Sequence, residues 1–309
     1  MLRFLLKTLA FTGIVLITLR IIGTADNTHA AVSANQNIKR LQLAAQFDSL
    51  DILFVGNSYA YSSIIPASFD HEGFHTFNLG TASAGPFFYE IITHDYLETC
   101  SQKPKTIALT ISPITFSILS DNFETYPIHR YLHKPIQNEA IAIEEGSPIL
   151  YFQLLGKSAE KAAQNLRDGD ATGSSKEVIS PRGFYSSDEL YNDSIYAFTH
   201  HFYLPLKEDF FDNNKAERLK SFIGSLNEKG IKVVLIEMPT NRLRDFISAE
   251  FMTDYAQFKK TLAAQYPIIN FSGELTEHDY RNIDHMNVNG AKKFSQFLLT
   301  QEVLFTRIK

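Results

Sequence analysis

The chain has 309 residues, 44% of them hydrophobic and 20% charged, with 29 basic against 34 acidic side chains. That balance is globular and excludes a disordered, collagen-like or polytopic membrane chain; its acidity argues against a nucleic-acid partner. A single cysteine, Cys100, excludes an intramolecular disulfide framework, a CxxC redox pair and a cysteine zinc site.

The N-terminus reads as a leader. Arg3 and Lys7 give a positive start, and Thr8 to Leu19 form an uncharged run of 12 residues. That suits a signal-peptide core better than a membrane span, which needs about 20 apolar residues. Val32-Ser33-Ala34 supplies small residues at −3 and −1, with Ala30 a second candidate cleavage site. The alternatives are an uncleaved anchor over residues 4–23, with Arg20 snorkelling, or a buried N-terminal helix. Both export readings place the body at 35–309 outside the cytoplasm, secreted or held by the anchor. Cleavage after Ala34 removes Arg3, Lys7, Arg20 and Asp26, leaving 26 basic against 33 acidic residues.

The body alternates strand and helix patterns. Asp51–Val55 is an apolar run ending at Gly56, and His75–Leu79 is a second, ending at Gly80. Pro86 to Glu98 has helical spacing, with Phe87, Ile91, Tyr96 and Leu97 expected inward. Thr106–Ile111 is a third strand, stopped by Pro113. Ala216 to Leu226 is an amphipathic helix with Leu219, Phe222, Ile223 and Leu226 on one face, ended by Gly230. Ile231–Ile236 and Pro267–Phe271 are further strands, and Ala291–Leu299 a last helix. This order predicts an α/β protein: a central parallel sheet between two helical layers. Ligands in such sheets bind beyond the carboxyl ends of the strands. Attention therefore falls on Gly56-Asn57-Ser58, Gly80 to Gly85, Ser112, Glu237 and the segment after Phe271.

Residues 113–212 break the rhythm and read as an insertion. Asp168–Ser180 is loop-like, and Phe184 to Phe211 is crowded with aromatics. Such a segment is either a second small hydrophobic core or a lid or partner surface.

Two places carry chemistry. Ser58 stands at a strand-to-helix turn, where a hydroxyl projects into the cleft and first-turn N–H groups can hold an oxyanion. A serine needs a neighbouring base. The candidate is His285, within Asn282-Ile-Asp284-His285-Met-Asn287-Val-Asn-Gly290-Ala, with Asp284 or Asp279 to orient its ring. The plain alternatives are a helix cap for Ser58 and a capping or carbonyl-bonding role for His285. Rival motifs are weaker. His71-Glu72-Gly73-Phe74-His75 is a literal HExxH, the pattern of a zinc hydrolase, but that chemistry needs a helix and Gly73 sits mid-motif. His129 and His133 have one-turn spacing without a third ligand. Gly56-x-Ser58-x-Ala60 is elbow-like, but an α/β-hydrolase places its elbow deeper in the sheet. No phosphate loop is present, and no cofactor or metal is expected.

With these residues in view, the chain resembles the SGNH (GDSL-type) hydrolase superfamily. The likeness is greatest to its exported branch, related to the D-alanyl-lipoteichoic acid biosynthesis protein and polysaccharide O-acetylation proteins. Ile52-Leu-Phe-Val-Gly-Asn-Ser58 matches the first block, Phe77-Asn-Leu-Gly80 through Pro86 the second, Lys103–Pro113 the following strand, and Asp284-His-Met-Asn-Val-Asn-Gly-Ala291 the last. The resemblance covers roughly 51–113 and 215–300. It implies Ser58 as nucleophile, His285 as base, an oxyanion-hole amide from Gly80 or Gly85, and Asp284 or another acid completing the triad. The chain departs from the pattern twice. The third block's asparagine is replaced at Ile111-Ser112-Pro113, where Ser112 or a backbone amide must serve, and the usual acid position, three before the histidine, holds Asn282. The implied function is a serine esterase or O-acyltransferase acting on small acyl esters of an envelope or extracellular glycopolymer. The alternative is an inactive scaffold that binds carbohydrate or a membrane protein partner.

Overall fold

Five short runs form a parallel sheet in this computed structural model, which describes residues 44, 46–47, 49–121, 182–184 and 209–305. These belong to one unit of the chain, Arg40–Thr125 with Lys176–Lys309. The expected leader and most of the expected insertion, His129 and His133 included, lie outside the described residues.

The strands are β1 (Ile52–Val55), β2 (Thr76–Asn78), β3 (Thr106–Ile111), β4 (Lys232–Glu237) and β5 (Ile268–Asn270), in the spatial order β2-β1-β3-β4-β5. Every pair is parallel: Leu53 lies opposite both Phe77 and Ile107, Ala108 opposite Val234, and Ile236 opposite Ile269. β1 and β3 are buried at every position. That is why they read as continuous apolar runs rather than alternating ones: helices cover both faces. The expected α/β architecture is the observed one.

Among the described residues the α-helices are α1 (Ser58–Ser63), α2 (Pro66–Asp70), α3 (Pro86–Thr99), α4 (Asn213–Glu228), α5 (Ala249–Ala263) and α6 (Val288–Leu299). α3, α4 and α5 lie side by side. Arg218 Nε donates to Glu90 Oε2 at 2.9 Å between the first two, and Lys220 Nζ sits 5.4 Å from the Phe258 ring between the last two. α1 and α6 meet through Ser295, whose Oγ accepts the Ile65 N–H at 2.9 Å and donates to Ser63 O at 3.4 Å. Right-handed crossovers place α1 and α2 on the face of the sheet opposite α3, α4 and α5, and α6 joins the former through its contact with α1.

Two local expectations change. α3 buries Phe88, Tyr89, Ile91, Ile92 and Tyr96, while Phe87 and Leu97 lie at the margin; Phe87 instead carries the Arg218 guanidinium 4.7 Å above its ring. Phe211, expected among the insertion's aromatics, packs in the main core against Phe116, Phe251 and Phe258. α5 goes beyond the expected elements. Ser248 accepts the Phe251 N–H at its start, and Phe251, Tyr255, Phe258 and Leu262 form its buried stripe.

The chain leaves β1 toward β2 on one side and later returns to β3 on the other. The carboxyl end of β1 is therefore the topological switch point, where a crevice opens in such sheets. Ser58 stands there.

Candidate active site

Gly56 ends β1 in tight quarters: a Cβ there would lie 1.9 Å from Thr110 Oγ1 on β3. Asn57 then caps α1. Its backbone is extended (φ −89°, ψ −157°) and its Oδ1 accepts the Tyr59 N–H at 3.1 Å. Ser58 is thus the first helical residue and not the cap, so its hydroxyl is not engaged in the turn. Its own N–H is one of the orphan first-turn donors and has no partner among the described residues.

That hydroxyl lies 2.8 Å from Nε2 of His285. On the other side of the ring, Nδ1 lies 2.6 Å from Oδ1 of Asp284, whose side chain is 1% exposed. A carboxylate can only accept, so Nδ1 carries the proton and Nε2 accepts from the serine. The second carboxylate oxygen, Oδ2, accepts the Tyr59 hydroxyl at 2.8 Å. The Tyr59 and His285 rings meet edge to face, with centroids 5.0 Å apart and planes at 77°. Asn282 shapes the turn beneath. Its Oδ1 accepts the backbone N–H of His285 at 2.7 Å and of Asp284 at 3.2 Å, and lies 3.2 Å from Nδ1. The start of α6 is capped by Asn287, which accepts from Asn289 and Gly290. This leaves His285 no capping duty.

The structure brings Ser58, His285 and Asp284 together and sends the other candidates elsewhere. Gly80 donates its N–H to Asn78 Oδ1 at 3.0 Å, and a Cβ there would lie 2.6 Å from the Tyr61 nitrogen. Gly85 donates to Asp121 Oδ1 at 2.7 Å, and the same carboxylate takes the Phe87 and Phe88 N–H groups at the start of α3. Both expected oxyanion amides are therefore engaged within the fold. In the same loop Ser83 holds a left-handed backbone, φ 55°, and its N–H has no partner among the described residues. Ser112 is buried and turned to Thr115, which takes its N–H at 3.1 Å. Asp279 serves the loop and not the ring, accepting from Thr276 and from Lys293 Nζ at 2.8 Å. Glu237 pairs with Lys259 at 2.7 Å. The HExxH segment lies between α2 and β2: His71 is the C-cap of α2, Gly73 turns the chain at φ 81°, and His75 precedes β2. Its histidines share no helical face, and no metal-binding cluster occurs among the described residues.

The flanking electrostatics follow burial. Burial raises Asp121 above the usual carboxylate range against the pull of Lys215 and its three backbone donors, and burial lowers Lys215. The Tyr89 hydroxyl, beside Thr115, Thr110 and the Asn57 backbone, is pushed up by burial, as is that of Tyr280. Burial opposes ionisation of Asp279, but Lys293 and Thr276 prevail and hold it below its ordinary value. Tyr59 is the site residue that sequence reasoning misses, because its partner lies 225 residues away.

No protein-family model matches the chain, and no curated protein matches it. Among solved structures it is similar to a chain provisionally named a platelet activating factor from Streptococcus pneumoniae. They share 12% identity over 85% of this chain and 91% of that one, with a TM-score of 0.42. It is also similar to a provisionally named acylhydrolase from Bacteroides fragilis (11% identity, 84% and 92% covered, TM-score 0.42). A GDSL-like lipase from Bacteroides thetaiotaomicron gives 12% identity, 87% and 97% covered, and a TM-score of 0.41. The reading of the site rests on its own geometry.

Proposed function

We propose that the chain is a serine-dependent esterase or O-acyltransferase. One observation carries this: the unbroken relay from Ser58 Oγ to His285 Nε2 at 2.8 Å and from His285 Nδ1 to the buried Asp284 carboxylate at 2.6 Å. In this reading Ser58 Oγ attacks the carbonyl carbon of an acyl ester while its proton passes to Nε2. Asp284 fixes the ring tautomer and faces the imidazolium that forms. The tetrahedral oxyanion takes the Ser58 N–H, an orphan first-turn donor at the start of α1 with no partner among the described residues. Collapse breaks the ester C–O bond, and His285 returns the proton to the leaving alcohol. Water, or a hydroxyl of an acceptor, then attacks the acyl-serine with His285 again as base, and releases acid or a new ester.

The finer assignment rests on sequence. The leader-like start supports export to the periplasmic or extracytoplasmic side, secreted or anchored. The SGNH resemblance supports a small acyl group on an envelope or extracellular glycopolymer as substrate, with a membrane protein as partner.

The test is intact-mass analysis of the full-length chain treated with p-nitrophenyl acetate and with a fluorophosphonate, beside Ser58→Ala and His285→Ala. An adduct that maps to Ser58 and disappears in both variants supports the proposal. A folded chain that takes no adduct overturns it. The engagement of Gly80 and Gly85 within the fold favours a second reading in that event, a non-catalytic scaffold for carbohydrate or a membrane partner.

A further inference from the structure

An acid next in sequence to its histidine is an awkward triad partner. Neighbouring side chains leave the backbone in different directions, so Asp284 reaches Nδ1 of His285 only if its carboxyl group is held turned back toward the ring. It is also almost fully enclosed, with its side chain 1% exposed, and a buried carboxylate oxygen requires a donor. Asn282 supplies the backbone half of this geometry by fixing the Asp284 and His285 N–H groups. It does not hold the carboxyl group.

Tyr59 does. Its hydroxyl donates to Oδ2 at 2.8 Å while Oδ1 faces Nδ1 at 2.6 Å, so one carboxylate is stretched between a fixed phenol and the imidazole. The phenol is itself immobile. Tyr59 is 2% exposed, its N–H is held by the Asn57 cap, and its ring stands edge to face on His285. It is also the residue directly after Ser58. A single turn of helix therefore carries both the nucleophile and the clamp on the acid that orients the base.

We propose that Tyr59 is the positioning residue that makes the adjacent Asp284–His285 pair work as acid and base. It replaces the spacing by which an acid three residues earlier would reach the ring. The proposal rests on the serine-hydrolase reading for its catalytic consequence, but not for its geometry.

The experiment follows the imidazole directly. In the full-length chain with 15N-labelled histidine, His285 shows a strongly downfield Nδ1–H proton, assigned by its loss in His285→Ala. In Tyr59→Phe that resonance moves upfield or vanishes, as in Asp284→Asn. In Tyr59→Phe kcat for p-nitrophenyl acetate falls about tenfold with KM within about twofold, and the acidic limb of the pH–rate profile moves in the direction seen for Asp284→Asn. Loss of packing alone would leave both the resonance and the profile unmoved. An unchanged resonance in Tyr59→Phe overturns the proposal, whether or not the chain is active. A resonance that depends on Tyr59 in a chain whose Ser58 takes no adduct sinks the hydrolase reading and leaves the positioning role standing.

Discussion

The Oδ1 of Asn282 accepts the backbone N–H of His285 at 2.7 Å. Asn282, three residues before the histidine, thus acts first on the main chain and only second on the ring, 3.2 Å from Nδ1. Asn282→Asp keeps that acceptor and adds a charge beside Nδ1. It is expected to retain kcat within about tenfold and to raise the acidic limb of the pH–rate profile. Asn282→Ala releases the turn, at a cost of about 1–2 kcal/mol in denaturant unfolding. Asp284→Asn is expected to lower kcat by about 10³–10⁴-fold, through loss of the correct tautomer. Steady-state kinetics on an activated ester separates the three.

Gly56 is a steric requirement. Its would-be Cβ meets Thr110 Oγ1 at 1.9 Å and Ala60 Cβ at 2.8 Å, so Gly56→Ala must push β1 away from β3 or α1 away from the sheet. Destabilisation of about 1–3 kcal/mol is expected in urea unfolding. Thr110→Ala in the same chain recovers only part of it, because the Ala60 contact remains.

The carboxylate of Asp121 caps α3 from a distant segment, taking the N–H groups of Gly85, Phe87 and Phe88. Asp121→Ala strands those donors and is expected to cost about 1–2 kcal/mol. Faster amide exchange at Gly85, Phe87 and Phe88 would locate the loss. Unchanged exchange there would mean that the cap is redundant.

Asp279 gives a pH prediction. Its folded pKa lies below the ordinary value of 3.8 because of Lys293 and Thr276. A depressed acid contributes stability above its unfolded pKa and loses it as pH falls through the folded one. The melting temperature of the wild-type chain should therefore fall more steeply below about pH 4 than that of Asp279→Asn. Parallel curves would show that the pair adds nothing.

The sheet was legible because its strands are buried on both faces: Ile52-Leu-Phe-Val and Thr106-Ile-Ala-Leu-Thr-Ile leave no alternation to misread. α5 carried as clear a signal, with Ser248 before it and Phe251, Tyr255, Phe258 and Leu262 in helical register; its stripe is aromatic rather than aliphatic and sits between two strands already accounted for. At the site, Ser58, His285 and Asp284 were recognisable from short motifs. The fate of the Gly80 and Gly85 amides was not. One goes to a side chain two residues away and the other to Asp121, 36 residues on, and no local pattern encodes either choice. Tyr59 illustrates the same limit, since a hydrogen bond across the molecule leaves no spacing to read.

The separation of 227 residues between Ser58 and His285 has a bearing on how the molecule would acquire the proposed serine reactivity. The serine follows the first strand directly, whereas its imidazole partner precedes α6 and meets the hydroxyl only with α6 docked, through Ser295, onto the end of α1. Until then the hydroxyl is an ordinary alcohol. A chain still threading, or arrested with its last helix undocked, is chemically latent, and electrophilic labelling during refolding would report the final closure of the tertiary structure rather than its beginning.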